Sequence, residues 1–172
     1  MLDTATKIAA GLEQAFAARG FAETNVEALR DAAGVSLRTL YKYTPSRDDM
    51  VLAALEHRHQ RYMAHVFSDV DQRGRPALEL IIDRISAWME REAPHGCLFH
   101  AAVAAAPKDL RLQDLLKRHK QEVAEKAADL AEIPSRCDEL AFIIEGLTQS
   151  WSLKGPVAGR VAKSLATGLM RD

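Results

Sequence analysis

Between residues 26 and 43, two short helical segments are separated only by Gly34-Val35-Ser36. This spacing constrains the fold more than any other feature of the chain. Gly34 can take a positive φ and close a tight turn, and Val35 can tuck into a core. The pair has the layout of a helix-turn-helix, whose second helix enters the major groove of DNA. A short helical hairpin inside an all-α core has the same layout, and spacing alone does not separate the two.

The composition of the second segment favours DNA. Leu37-Arg38-Thr39-Leu40-Tyr41-Lys42-Tyr43 has one obvious inward anchor, Leu40. Arg38, Thr39, Tyr41, Lys42 and Tyr43 carry side chains that donate hydrogen bonds to phosphates and base edges, with no acid among them. A solvated helix face usually mixes in acids. The net charge of −1 over 172 residues argues against nucleic acid when taken as a whole. Locally the balance reverses: Arg30, Arg38, Lys42 and Arg47 face a single acid, Asp31, between residues 30 and 47.

The rest of the chain reads as helix. β-branched residues are scarce and never alternate with polar ones over a strand length, while Ala, Leu, Glu and Arg dominate. Ile8, Leu12, Ala15 and Phe16 share one face of a first helix over 4–19, which Gly20 stops. Thr24-Asn25-Val26-Glu27 has capping-box form and starts a second helix near Thr24. Ser36 caps a third helix over 37–43, and Ser46 caps a long fourth that reaches about residue 67. Asp71-Gln72-Arg73-Gly74-Arg75-Pro76 is the clearest linker. Further helices are expected over 77–91, 97–105, 107–132, 136–153 and 157–170. The expected fold is all-α with about nine helices: a helix-turn-helix domain over 1–47 and a helical domain over 48–172. No apolar run approaches the roughly 18–20 residues of a membrane span, and no secretory pattern opens the chain, so a cytoplasmic protein is expected.

Phe16 with Gly20-Phe21, Thr24, Ala33-Gly34-Val35-Ser36, Thr39-Leu40-Tyr41-Lys42-Tyr43 and Ser46-Arg47-Asp48 together resemble the DNA-binding domain of the TetR family of repressors. The resemblance spans residues 5–55 without a gap. It implies a homodimer on a palindromic double-stranded DNA operator, and a helical C-terminal domain whose pocket takes a small-molecule inducer that releases the DNA. By position, it implies that Leu37, Arg38, Tyr41 and Lys42 face base edges and that Thr24, Thr39, Tyr43 and Arg47 hold backbone phosphates. Thr44 stands where the family usually has phenylalanine. Lys7 is the only basic residue ahead of or early in the first helix, so a basic minor-groove arm is not implied.

In the C-terminal half, Leu140, Ile143, Ile144 and Leu147 belong to a helix that is apolar almost all round. Val161, Leu165 and Leu169 form a stripe on the last helix beside Ala158, Ala162 and Ala166. These two helices are expected to form a dimer interface, with an intramolecular core as the other reading. Trp88, Met89, Phe99, Val103, Leu116, Phe142, Glu145 and Trp151 are candidates for lining a ligand pocket, and plain core residues otherwise. Glu145, in an apolar run, needs a partner if buried, and a cationic ligand is one. His95, Cys97 and His100 lie close together but lack the spacing of a structural zinc site, so no metal is expected. No phosphate loop, nucleophile elbow, paired-carboxylate motif or H-E-x-x-H is present. Neither catalysis nor a cofactor is expected. The alternative to a repressor is a helical interaction module that keeps the fold without operator binding.

Overall fold

The computed structural model describes residues 3–170. They form helices α1 (Thr4–Glu23), α2 (Val26–Ala33), α3 (Leu37–Tyr43), α4 (Arg47–Phe67), α5 (Arg75–Glu92), α6 (Leu98–Ala105), α7 (Leu110–Leu130), α8 (Cys137–Lys154) and α9 (Pro156–Gly168), with a 3₁₀ turn at Pro134–Arg136. No strand occurs among the described residues. No described helix is long and apolar enough to cross a membrane.

The chain divides into two compact units. The first takes residues up to Arg61 together with Leu98–Leu116, and the second takes Tyr62–Cys97 with the chain from Lys117 onward. The first unit therefore includes most of α4, all of α6 and the start of α7, besides the three helices expected over 1–47.

In the first unit, the apolar stripe of α1 buries Ile8, Leu12, Ala15 and Phe16, joined by Leu29, Leu40, Met50, Leu55, Phe99 and Leu112. Asp3 caps α1 by accepting from the Thr6 amide at 2.9 Å. Gly20 breaks that helix with φ 74° and ψ 175°, at the expected stop, and one further turn follows it. Phe21 folds back so that its ring centroid lies 4.9 Å from that of Phe16. Helices α1 and α2 meet at Gly11, where an added Cβ would overlap the Ala32 carbonyl oxygen. Only glycine allows that approach.

The second unit is held by one cluster that includes Tyr62, Val66, Leu78, Ile81, Ile82, Ile85, Trp88, Met89, Ala127, Leu140, Ile144, Leu147 and Trp151. The inward stripe of α8 is Leu140, Ile144, Leu147 and Trp151, spaced at the helical repeat. The inward stripe of α9 is Ala158, Ala162 and Ala166. Gly159 lies against the Ser86 side chain of α5, so the two helices pack closely.

Replacing Gly11 with alanine forces the α1–α2 contact apart. Overpacking of this kind typically costs about 1–3 kcal/mol. A lowered unfolding midpoint in urea is expected, while Gly146→Ala, which has open space around it, should unfold no earlier than the parent.

Candidate nucleic-acid interface

Helix α3 occupies the expected residues, and its local chemistry explains why. Ser36 is its N-cap, with the hydroxyl accepting from the Thr39 amide at 3.1 Å. The Ser36 and Thr39 hydroxyls also meet at 2.9 Å. Gly34 ends α2 in the left-handed region (φ 63°, ψ 38°), and its amide returns to the Arg30 and Asp31 carbonyls. Lys7 reaches across from α1 to the Gly34 carbonyl at 3.3 Å and braces the turn. Leu40 is fully buried and anchors α3, so Leu37, Arg38, Tyr41, Lys42 and Tyr43 stand exposed, with Thr39 half-buried. Lys42 lies 5.7 Å from the Tyr43 ring centroid.

Thr44 closes the helix. Its amide and hydroxyl both donate to the Leu40 carbonyl, at 2.9 and 2.8 Å. Thr44 therefore ends α3 through the hydrogen bonds of its amide and hydroxyl rather than by filling space with a ring.

Arg47 projects from the first turn of α4 and remains exposed. It donates to the Phe21 carbonyl, and its guanidinium lies 5.7 Å from the Phe16 ring centroid. Ser46 and Asp49 cap the start of α4 reciprocally: the Ser46 amide and hydroxyl donate to Asp49 Oδ2 at 3.1 and 2.7 Å, and the Asp49 amide donates to Ser46 Oγ at 3.1 Å. Arg111 Nη1 donates to Asp49 Oδ1 at 2.9 Å and Nη2 to Asp109 Oδ2 at 3.1 Å.

Thr24 corrects the expected surface. It is 1% exposed and its hydroxyl donates to the Gly20 carbonyl at 2.6 Å. It seals the end of α1 rather than facing outward. The capping box expected at Thr24 is therefore absent, and Asn25 caps α2 by accepting from the Ala28 amide at 2.9 Å. Both residues are good cap formers, and Gly20's free carbonyl draws the threonine away. Asn25 as the cap of α2 and Lys7 as a brace of the turn are the two roles in this region that the sequence did not give. Asn25 could have been found from its place directly before Val26. The contact of Lys7, 27 positions from Gly34, carries no local signal.

The other expected sets are redistributed. Trp88, Met89 and Trp151 are buried in the core cluster of the second unit. Phe99 and the half-buried Val103 and Leu116 belong to the first unit. Phe142 is 81% exposed and lies on the outer side of α8, away from the core cluster. Glu145 has a partner within the chain, Lys120 Nζ at 2.7 Å, which removes the need for a cationic ligand there. Leu140, Ile144 and Leu147, expected at a dimer interface, are core residues. The α8 helix is apolar on two faces that were read as one, and only the inner face holds these three. Leu169 is half-buried against the same core. Val161 and Leu165 are exposed at 51% and 57%, and Ile143 is half-buried beside them. Among the described residues, no group of three or more His, Cys, Asp or Glu side chains could hold a metal ion, and His95, Cys97 and His100 form no such group.

Residues 8–54 match the family model of bacterial regulatory proteins of the tetR family. No curated protein sequence matches the chain. Among solved structures, the chain is similar to SCO4454, a TetR-family transcriptional regulator from Streptomyces coelicolor, with a TM-score of 0.83 and 18% identity over 99% of this chain and 90% of that one. It is also similar to a TetR-type regulator from Streptomyces avermitilis (TM-score 0.75, 18% identity, 98% and 97% covered). A third likeness is to NemR of E. coli in its reduced form (TM-score 0.75, 15% identity, 96% and 97% covered). At these identities the likeness is one of fold.

The arginine bridge predicts an acid response. Hydrogen bonds from Ser46, then Arg111, hold the Asp49 carboxyl below its ordinary range, and Arg111 does the same for Asp109. A carboxyl with a lowered folded pKa contributes stability that is present above the ordinary aspartate value of about 4 and lost as pH falls through the folded value. The stability deficit of Arg111→Ala, from urea unfolding, should therefore hold steady between pH 7 and 5 and shrink below about pH 4. A deficit that stays constant down to pH 2.5 would contradict this.

Proposed function

We propose, from the match of residues 8–54 to the family model of bacterial regulatory proteins of the tetR family, that the chain is a ligand-responsive repressor. In this proposal it binds a palindromic operator as a homodimer and is released by a small-molecule inducer. The observation that carries the reading is the exposed face of α3: Arg38, Tyr41 and Lys42 within one turn, Leu37 at its start and Tyr43 at its end, with no carboxylate on the helix.

The proposed roles follow from chemistry. Arg38 has the fork that matches the two acceptors of guanine in the major groove. Tyr41 and Lys42 complete the base-facing set, and Leu37 offers an apolar contact to a thymine methyl. Thr39, Tyr43 and Arg47 are assigned to phosphates. Arg47 reaches that role with its guanidinium already steadied by Phe21 and Phe16. Thr24 is left out because its side chain is buried and bonded internally.

Support for the homodimer comes from the outer faces of α8 and α9. Phe142, Ile143, Val157, Val161 and Leu165 line a continuous apolar cleft of about 550 Å³ with few polar atoms. An apolar surface of this kind on a soluble chain marks an association site, and a two-fold pairing of two such helix pairs makes a four-helix bundle. One helix-turn-helix reads few base pairs, so pairing also supplies the second half-site.

Selection from random-sequence duplexes tests the reading. Enrichment of an inverted repeat is expected, with affinity falling steeply as salt rises. Arg38→Ala should lose discrimination at one position per half-site, worth about 1–3 kcal/mol, whereas Arg47→Ala and Tyr43→Phe should weaken all duplexes alike. No enrichment at low salt would refute the proposal and leave the interaction module.

The interface is tested separately by light scattering on Val161→Glu/Leu165→Glu. The parent should be a dimer and the variant a folded monomer at micromolar concentration. An unchanged mass for the variant would exclude this face as the interface.

A further inference from the structure

The first unit buries a carboxylate that its apolar helix face gave no reason to expect. Glu13 lies on α1 between Leu12 and Phe16 and is 2% exposed. Its oxygens accept from three side chains of α4: His57 Nδ1 at 2.6 Å, Arg58 Nη1 at 3.0 Å and Arg61 Nη1 at 2.7 Å. These three occupy little more than one helical turn. Arg58 is itself almost wholly buried, while Arg61 is partly open to solvent.

Burying such a group costs desolvation that its partners must offset, so a constellation of this kind is a poor source of net stability compared with apolar packing. It differs from apolar packing in directionality. Charged donors and acceptors must meet at hydrogen-bond distance and angle, whereas aliphatic side chains can slide past one another at little cost. Glu13 therefore fixes α1 on α4 in one register. Two residues earlier, Gly11 brings α1 into backbone contact with α2 at Ala32, and α2 carries α3 through the Gly34 turn. Helix α1 is thus keyed to α4 through Glu13 and to the helix-turn-helix through Gly11.

We propose that Glu13 is a positioning residue for DNA recognition: its clasp on His57, Arg58 and Arg61 sets the placement of the helix-turn-helix on α4, so that the α3 side chains meet base edges in one register. The inference rests on the DNA-binding reading above and assigns it a determinant that does not touch DNA.

The test separates position from stability. Glu13→Leu/Arg58→Met replaces the buried ion pair with apolar groups of similar volume, a change that often leaves stability unaltered. Spin labels at Glu27→Cys on α2 and Gln60→Cys on α4, in a Cys97→Ser/Cys137→Ser background, report the distance distribution between the two helices. The expected result is a melting temperature within a few degrees of the parent, a clearly broadened distribution, and affinity for the duplex selected by the parent about tenfold weaker. His57→Gln should broaden the distribution less. If the double variant does not fold, the same distances and affinity in Glu13→Gln, which keeps the volume and removes the charge, decide the question. A distribution as narrow as the parent's, or an undiminished affinity, overturns the proposal. A parent that selects no duplex refutes the DNA-binding reading instead, and the distances then decide on their own whether Glu13 positions α2 on α4.

Discussion

The first unit depends on the contact between two backbones at Gly11 and Ala32. Most helix pairs are separated by side chains, at interaxial distances of about 8–10 Å. Here a missing Cβ lets α1 press directly on the end of α2. The consequences run along the chain. With α2 held at that point, the turn after it must reverse within three residues, and Gly34 does so in the left-handed region. The turn then delivers Ser36 as a cap, Leu40 as an anchor and the remaining α3 positions to solvent. A short helix of seven residues has little intrinsic stability. Its cap, its anchor and the Thr44 closure are what keep it formed.

Much of this region was legible in the sequence because its signals are local. The Gly34-Val35-Ser36 turn, the Ser36 cap and the single apolar anchor at Leu40 each declare themselves within a few residues, and α3 begins and ends where they place it. Thr24 was misplaced because two adjacent residues were both suited to cap α2. The choice fell to the Gly20 carbonyl, whose availability depends on how α1 breaks. Glu13 and Lys7 were not legible at all. Their partners lie 27 to 48 positions away, and nothing in the local pattern announces a meeting at that separation.

The second unit shows a different limit. Apolar residues surround α8, so periodicity could not tell which belong to the core and which to an outer face. The structure divides them: Leu140, Ile144, Leu147 and Trp151 face the core cluster, while Phe142 and Ile143 join Val161 and Leu165 along the outer cleft. On α9 the small residues face inward, where α5 approaches closely, and the larger ones face out. Glu145 likewise needed the fold to find Lys120. An apolar helix with two working faces is consistent with one face serving the chain's own core and the other serving a second copy.

The central claim is that α3 and the start of α4 are the surface that meets DNA. Amide chemical-shift mapping by NMR during titration with a selected duplex tests it most directly. The predicted result is that the largest changes fall on residues 36–47, led by the amides of Arg38, Tyr41 and Lys42, with the outer faces of α8 and α9 unaffected. Shifts spread over those faces, with α3 unchanged at saturating duplex, would contradict it.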